Sequence, residues 1–249
     1  MKTRFAALLL AGVSLAPVAA LADTDSSHLL DVGYATATRS AVPNDVWSVG
    51  LDSLFSYDHL NLQLGGDYMH VSPDVKTGAF DLYNGEGNIF WRDHVGEFGV
   101  SGGYGTVNPS GVKNSHVASY GAFGEWYLLY NTTLRIKGGA FDGQIEGWYA
   151  GTGLEFYIAR DLGFNVEYNY TQGGAGHVHD FDADLEYLIS HDYPLSISAG
   201  YERANTKTAE SNAILVRLRY RFGAEGSLAT IDRSGPTQWD GVIPLSNLH

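Results

Sequence analysis

The sequence predicts an all-β chain: a single up-and-down transmembrane β-barrel of about 12 antiparallel strands. Three observations predict it. Apolar and aromatic residues recur with period two along almost the whole chain. Turns centred on Asp or Asn (58, 93, 131, 161 and 192) recur about every 30–38 residues, the length of two strands and two connections. The 249 residues include 31 Gly, 16 Tyr and 11 Phe, a mix that suits pleated surfaces joined by tight turns.

The N-terminus has a separate role. Lys2 and Arg4 precede an apolar run from Phe5 to Ala20, and Ala20-Leu21-Ala22 has the small-x-small form of a cleavage site. Residues 1–22 are expected to be a signal peptide, residues 23–222 the barrel, and residues 223–249 a C-terminal periplasmic tail or plug. Removing Lys2 and Arg4 from 15 basic residues leaves 13 against 28 acidic ones, a net charge of −15. That balance disfavours nucleic acid as a partner. The chain has no cysteine, which excludes disulfides and thiolate chemistry.

The strands follow in order. Residues 28–38 alternate weakly. Trp47, Val49, Leu51, Phe55 and Tyr57 form the first clear stripe, and Leu60, Leu62, Leu64 and Tyr68 the second. Residues 76–91 again read poorly. Then come Phe98, Val100 and Tyr104; Tyr120, Ala122, Trp126 and Leu128; Leu134 and Ile136; Trp148, Leu154 and Phe156. Leu162, Phe164, Val166, Tyr168 and Tyr170 make the cleanest stripe, followed by Phe181, Leu185, Tyr187 and Ile189, and by Leu195, Ile197, Ala199 and Tyr201. The last strand places Ile214, Val216, Leu218, Tyr220 and Phe222 on one face and Arg217, Arg219 and Arg221 on the other. Five turns are short; most of the alternate connections (40–45, 72–77, 107–115, 172–176 and 205–212) are longer and polar, as in bacterial outer-membrane barrels.

The final strand decides which face meets lipid. A bilayer cannot satisfy an open sheet edge, so spanning strands must close on themselves. An Arg on the lipid face near the midplane costs about 2–4 kcal/mol, so the three arginines are expected to point inward. The same alternation turns Asp52, Asp67, Glu125, Glu155, Glu167, Asp182, Asp184, Glu186 and Glu202 inward, with Arg135 and Lys137 as further inward bases. Glu202, on the preceding strand, is the expected cross-strand partner of the arginines. Together these fourteen residues are the candidate pore lining. A soluble lipocalin-like barrel would show the same alternation with its faces reversed. Aromatics near strand ends, among them Tyr57, Trp91, Tyr130, Tyr170 and Tyr220, fit two interfacial girdles instead.

Signal peptide, cysteine-free chain, amphipathic strands and a final Leu218-Arg219-Tyr220-Arg221-Phe222 resemble a Gram-negative outer-membrane β-barrel of the porin-like kind, over about residues 28–222. The resemblance implies a cell outer membrane location, outer-membrane lipids and the barrel-assembly machinery as partners, and transport of small polar solutes. In such barrels an aromatic residue commonly ends the chain; here 27 residues follow Phe222. That tail is broken by Gly226, Gly235 and Pro236 and reads as a flexible extension, with a lumenal plug as the alternative.

Three further constellations carry residues of catalytic or metal-binding type. His177, His179, Asp180 and Asp182 have metal-ligand chemistry, but the two histidines and the two aspartates fall on opposite faces of a strand; no metal is assigned. His70 and Ser72 share a face, and a His can activate a Ser hydroxyl; the pair resembles the His-x-Ser of outer-membrane lipid A deacylases, without an assignable acid and with an unmatched Pro73-Asp74. Asp182, Asp184 and Glu186 form a ladder that any polar strand face gives. No catalytic residue and no cofactor is expected. The function expected is a narrow channel for small polar or charged solutes; the alternative is a non-channel barrel, either an anchor or a deacylase-like enzyme.

Overall fold

A computed structural model describes residues 25–39, 42–73, 79–109, 114–174, 176–207 and 209–237. The proposed signal peptide and residues 238–249 lie outside the described residues. Twelve strands run β1 (Asp25–Arg39), β2 (Val42–Tyr57), β3 (Leu60–Pro73), β4 (Phe80–Arg92), β5 (Gly96–Pro109) and β6 (Ser115–Leu129). They continue as β7 (Thr132–Gly143), β8 (Gly147–Ala159), β9 (Leu162–Gly173), β10 (Gly176–Ser190), β11 (Leu195–Thr206) and β12 (Glu210–Phe222). Each pairs antiparallel with its sequence neighbours, and β12 closes the barrel on β1 from His28↔Phe222 to Arg39↔Ser211.

The period-two stripes face outward along the strands, with Val100, Tyr120, Leu185, Ile214 and Leu218 exposed. Exposing this much apolar surface suits a hydrocarbon solvent and no aqueous one. The two segments that read poorly are β1 and β4. Both carry apolar residues on their inner faces (Leu29; Leu82 and Phe90) as well as outside, which blurs the alternation.

The turns at one end are two to four residues long, as the Asp and Asn centres predict. Asp58 takes a left-handed φ of 57°. The Asp93 side chain accepts the backbone N–H of Val95 at 2.7 Å and of Gly96 at 3.3 Å. Those bonds, Val95 first, hold its carboxyl below its usual range. At the other end strand pairing runs through most of what reads as loop: Val42 to Asp45 pair with β1, and Asn205 pairs with Glu210. Strands rising beyond the bilayer can keep polar residues in the ladder because water solvates their side chains.

The interior is only partly polar. Leu54, Phe90, Val117, Phe123, Phe141 and Tyr149 form one buried cluster, and Val46, Val71, Leu82 and Val107 another. Tyr149 lies flat against the wall because Gly121 and Gly139 leave room: a Cβ there would sit 2.1 and 2.5 Å from its hydroxyl.

After Phe222 the chain turns back into the barrel. Gly223 (φ 76°) and Gly226 (φ 119°) supply left-handed conformations that other residues resist. A short helix, α1 (Leu228–Ser234), follows, its N-cap Ser227 accepting from the Thr230 N–H at 3.2 Å. Leu228 and Ile231 bury themselves against Tyr157 and Leu188 of the inner wall. The sequence favours an extension here; residues 224–237 pack inside the short-turn end of the barrel.

Candidate functional site

The lumen is organised by β12. Arg219 donates to Asp31 at 3.0 Å and to Glu186 at 2.5 Å. Arg221 reaches Glu186 and Asp232 of α1, each at 2.8 Å, and the Ser196 hydroxyl at 2.8 Å. Both guanidiniums are buried, at 7% and 3% exposure. Carboxylates on both sides of the arginine row offset the desolvation that an unpaired inward charge would suffer. The expected partner, Glu202, is not among them. Register places Glu202 opposite Ala213, whereas Arg217 and Arg219 face Ser198 and Ser196. The bridging acid comes from β10, two strands away, because inward side chains meet across the lumen as well as along the ladder.

A second network occupies the opposite wall. Arg135 bonds Glu155 at 2.6 Å and Glu125 at 3.1 Å, and the Tyr157 hydroxyl donates to Glu155 at 2.8 Å. Lys137 pairs with Glu167. Arg92 holds Glu97 at 2.6 Å and also donates to the Gly235 carbonyl of the tail at 2.8 Å.

Above these networks lies a cavity of about 310 Å³. Nine acidic residues line it: Asp31, Asp52, Asp67, Glu86, Glu167, Asp180, Asp182, Asp184 and Glu202. Three basic residues face them, Lys137, Arg217 and Arg219. Asp180, Asp182 and Glu202 each bring a carboxylate oxygen within 4.8 Å of the others. The tail forms part of the floor: Thr237 lines the cavity, and its backbone N–H and carbonyl bond the buried Gln63 side chain at 2.8 and 3.0 Å. Burial pushes the Asp232 carboxyl of α1 up to about 7, against the pull of Arg221.

All fourteen candidate lining residues lie on the inner side. Asp52, Asp67, Glu167, Asp182, Asp184, Glu202, Lys137, Arg217 and Arg219 border the cavity. Glu125, Arg135, Glu155, Glu186 and Arg221 are spent in the networks beneath it. Sequence reasoning misses Asp31, Glu86, Arg92, Glu97, Asp180 and Asp232. Asp180 and Glu97 were within reach, since each extends an alternation already drawn through Asp182 and Phe98. Asp31 and Glu86 sit on the two blurred strands, and nothing in the tail marks Asp232 as a partner of Arg221.

Of the remaining constellations, the Asp182–Asp184–Glu186 ladder is part of the lumen, while the histidines and Ser72 fall outside it. His179 meets the Tyr168 hydroxyl at 2.7 Å on the outer face, and His177 stacks on Tyr170, so the wall separates both from Asp180 and Asp182. His70 and Ser72 also face outward, on β3.

No protein-family model and no curated protein matches the sequence. Solved structures match the fold at low identity. The KdgM porin is 10% identical over 75% of this chain and 97% of its own, with a TM-score of 0.53. The COG4313 outer membrane channel from Pseudomonas putida F1 is 12% identical over 79% of this chain and 94% of its own, with a TM-score of 0.57. The translocator domain of autotransporter NalP from Neisseria meningitidis is 13% identical over 89% of this chain and 98% of its own, with a TM-score of 0.52. The chain shares the fold of outer-membrane β-barrels.

Proposed function

We propose that this barrel is an outer-membrane channel for small polar or charged solutes, narrow and selective for cations. One observation carries the reading: nine carboxylates against three bases around a lumenal cavity of about 310 Å³. Within a low-dielectric wall such an imbalance raises the local concentration of cations and repels anions. Arg219 and Arg221 add little positive field, because Arg219 is paired with Asp31 and Glu186, and Arg221 with Glu186. Two of the structures with this fold, the KdgM porin and the COG4313 channel, are named as a porin and a channel, which supports a transport role here. Docked at the short-turn end, residues 224–237 narrow that mouth.

The full mature chain in planar bilayers, under a tenfold KCl gradient, tests this. The expected reversal potential has the sign of potassium permeation. Reversal at the chloride side, or no conductance from protein that is folded by gel mobility, overturns it.

A further inference from the structure

We propose that the outer face of β3 and β4 carries a Ser72–His70–Asp81 hydrolase site, acting on the ester-linked acyl chains of lipids in the outer leaflet. The site lies on the opposite side of the wall from the cavity and does not depend on the channel reading.

The geometry is that of a relay. The Ser72 hydroxyl lies 2.9 Å from Nε2 of His70. Nδ1 of His70 lies 2.6 Å from the Asp81 carboxylate. A carboxylate can only accept, so it selects the imidazole tautomer protonated at Nδ1 and leaves Nε2 to accept the serine proton. Local structure explains the arrangement. His70 and Ser72 are two apart on a strand and share a face. Register puts Asp81 of β4 directly opposite His70, and Trp47 of β2 opposite it on the other side. The Trp47 ring packs 5.8 Å from the imidazole, and the Tyr68 hydroxyl donates to Asp81 at 2.8 Å. The imidazole is therefore fixed from both sides.

An interfacial girdle alone would also gather His, Tyr and Ser at this rim. Among the described residues, however, two other histidines of this rim meet a hydroxyl without a carboxylate: His116 with Thr106 at 3.0 Å, and His179 with Tyr168 at 2.7 Å. His70 alone joins a serine on one nitrogen to an aspartate on the other. Position supplies the substrate class. The outward face of β3 runs from this rim through Tyr68 to the exposed Leu64, Leu62 and Leu60. At about 3.3 Å per residue, Leu64 lies about 26 Å and Leu60 about 40 Å along the strand from Ser72, so this face meets hydrocarbon from below the rim to the opposite end. A lipid of the outer leaflet beside the rim sets its ester carbonyls at the interfacial level, next to Ser72, and its chains against the upper outward face of β3.

The chemistry closes on itself. Ser72 Oγ attacks the ester carbonyl as Nε2 takes its proton. The tetrahedral adduct collapses, breaking the acyl–oxygen bond, and His70 returns the proton to the departing alcohol. Water then attacks the acyl-serine, giving its proton to His70, and the fatty acid leaves with Ser72 restored. The sum is ester plus water to alcohol plus acid. Asp81 is a positioning residue, since it acts through His70.

The test uses the full mature protein refolded in detergent. A fluorophosphonate probe followed by peptide mass spectrometry should label Ser72, and labelling should vanish in His70→Ala. Free fatty acid should be released from phosphatidylethanolamine micelles, from purified lipopolysaccharide, or from both, which identifies the lipid source. Ser72→Ala should lower that release at least 100-fold, while Thr106→Ala leaves it unchanged. Asp81→Ala should lower kcat on a chromogenic ester at unchanged KM, with partial recovery in Asp81→Glu, whose carboxylate again can only accept. All variants should keep the heat-dependent gel shift of the folded barrel. An unlabelled Ser72, or no acid from either lipid with folded protein, overturns the proposal.

Discussion

Arg233 is the side chain that pins the tail, and its removal tests how residues 224–237 are held. Its guanidinium donates to the carbonyls of Leu129 at 2.9 Å, Thr132 at 3.1 Å and Tyr130 at 3.2 Å, and to the Thr133 hydroxyl at 3.2 Å. It also sits 4.7 Å over the Tyr127 ring. Charge-assisted hydrogen bonds contribute about 1.5–3 kcal/mol each when buried, and an exposed cation–π contact about 0.5–1 kcal/mol. The carbonyls lie at a rim where water replaces lost bonds, so Arg233→Ala should weaken docking by about 3 kcal/mol in total. That is about a 100-fold rise in the undocked population. Leu228 and Ile231 remain buried and each contributes about 1.5–3 kcal/mol, so the tail loosens without leaving permanently.

The chain lacks cysteine, which makes the assay clean. Thr237 is 5% exposed at the cavity floor, and a Thr237→Cys variant should react slowly with a maleimide. Adding Arg233→Ala should speed that reaction about 100-fold and raise the mean channel current. An unchanged labelling rate would mean that the tail is fixed by its other anchors, the apolar contacts of α1 with Arg221–Asp232, Arg92–Gly235 and Gln63–Thr237.

Two other outcomes follow from the ionic networks. Glu186→Gln removes the carboxylate that Arg219 and Arg221 share; Asp31 and Asp232 still face them, so the loss should be about 3 kcal/mol. It should show as a lower urea midpoint for unfolding from lipid vesicles, and an unshifted midpoint would refute the shared role. Docking raises the Asp232 carboxyl from 3.8 to about 7, so the docked tail holds a proton that a free tail releases. Docking is then strongest in acid and weakens as the pH climbs toward 7; channel current should rise from pH 5 to pH 8, and Asp232→Asn should flatten that added pH response. A response equal in both proteins would sink the linkage.

The strand count and the facing of β12 are legible in the sequence because a bilayer leaves few alternatives. Three inward arginines and an unbroken apolar stripe admit one orientation, and hairpins with Asp-centred turns admit one connectivity. Partner choice is less legible. Alternation reports which face a residue takes, while the pairing of Arg219 with Glu186 depends on how far side chains reach across a closed lumen. Nothing in Glu202's position along the chain reveals that β11 and β12 register it against Ala213. The acid of the His70 site was hidden for a related reason. Asp81 lies on β4, whose glycines and inward Leu82 and Phe90 mask its period, and only the β3–β4 register brings it to His70. The tail hides its docking because Arg233 and Asp232 look solvated in a segment broken by Gly and Pro.

Strand alternation also lets one wall carry two unrelated sites. On β3, Met69 and Val71 face the interior, with Val71 buried in an apolar cluster, while the alternating His70 and Ser72 face outward. On β10, Asp180 and Asp182 border the cavity, while His179 meets Tyr168 outside. Backbone hydrogen bonds hold the ladder whatever the side chains are, so changing an outward residue leaves the inward ones in place. A loss of ester hydrolysis in Ser72→Ala with unchanged ion selectivity, and a loss of selectivity in an Asp182→Asn, Glu202→Gln variant with unchanged hydrolysis, would follow from that separation. Coupling between the two would require the wall itself to move, which a sheet closed along every edge strongly resists.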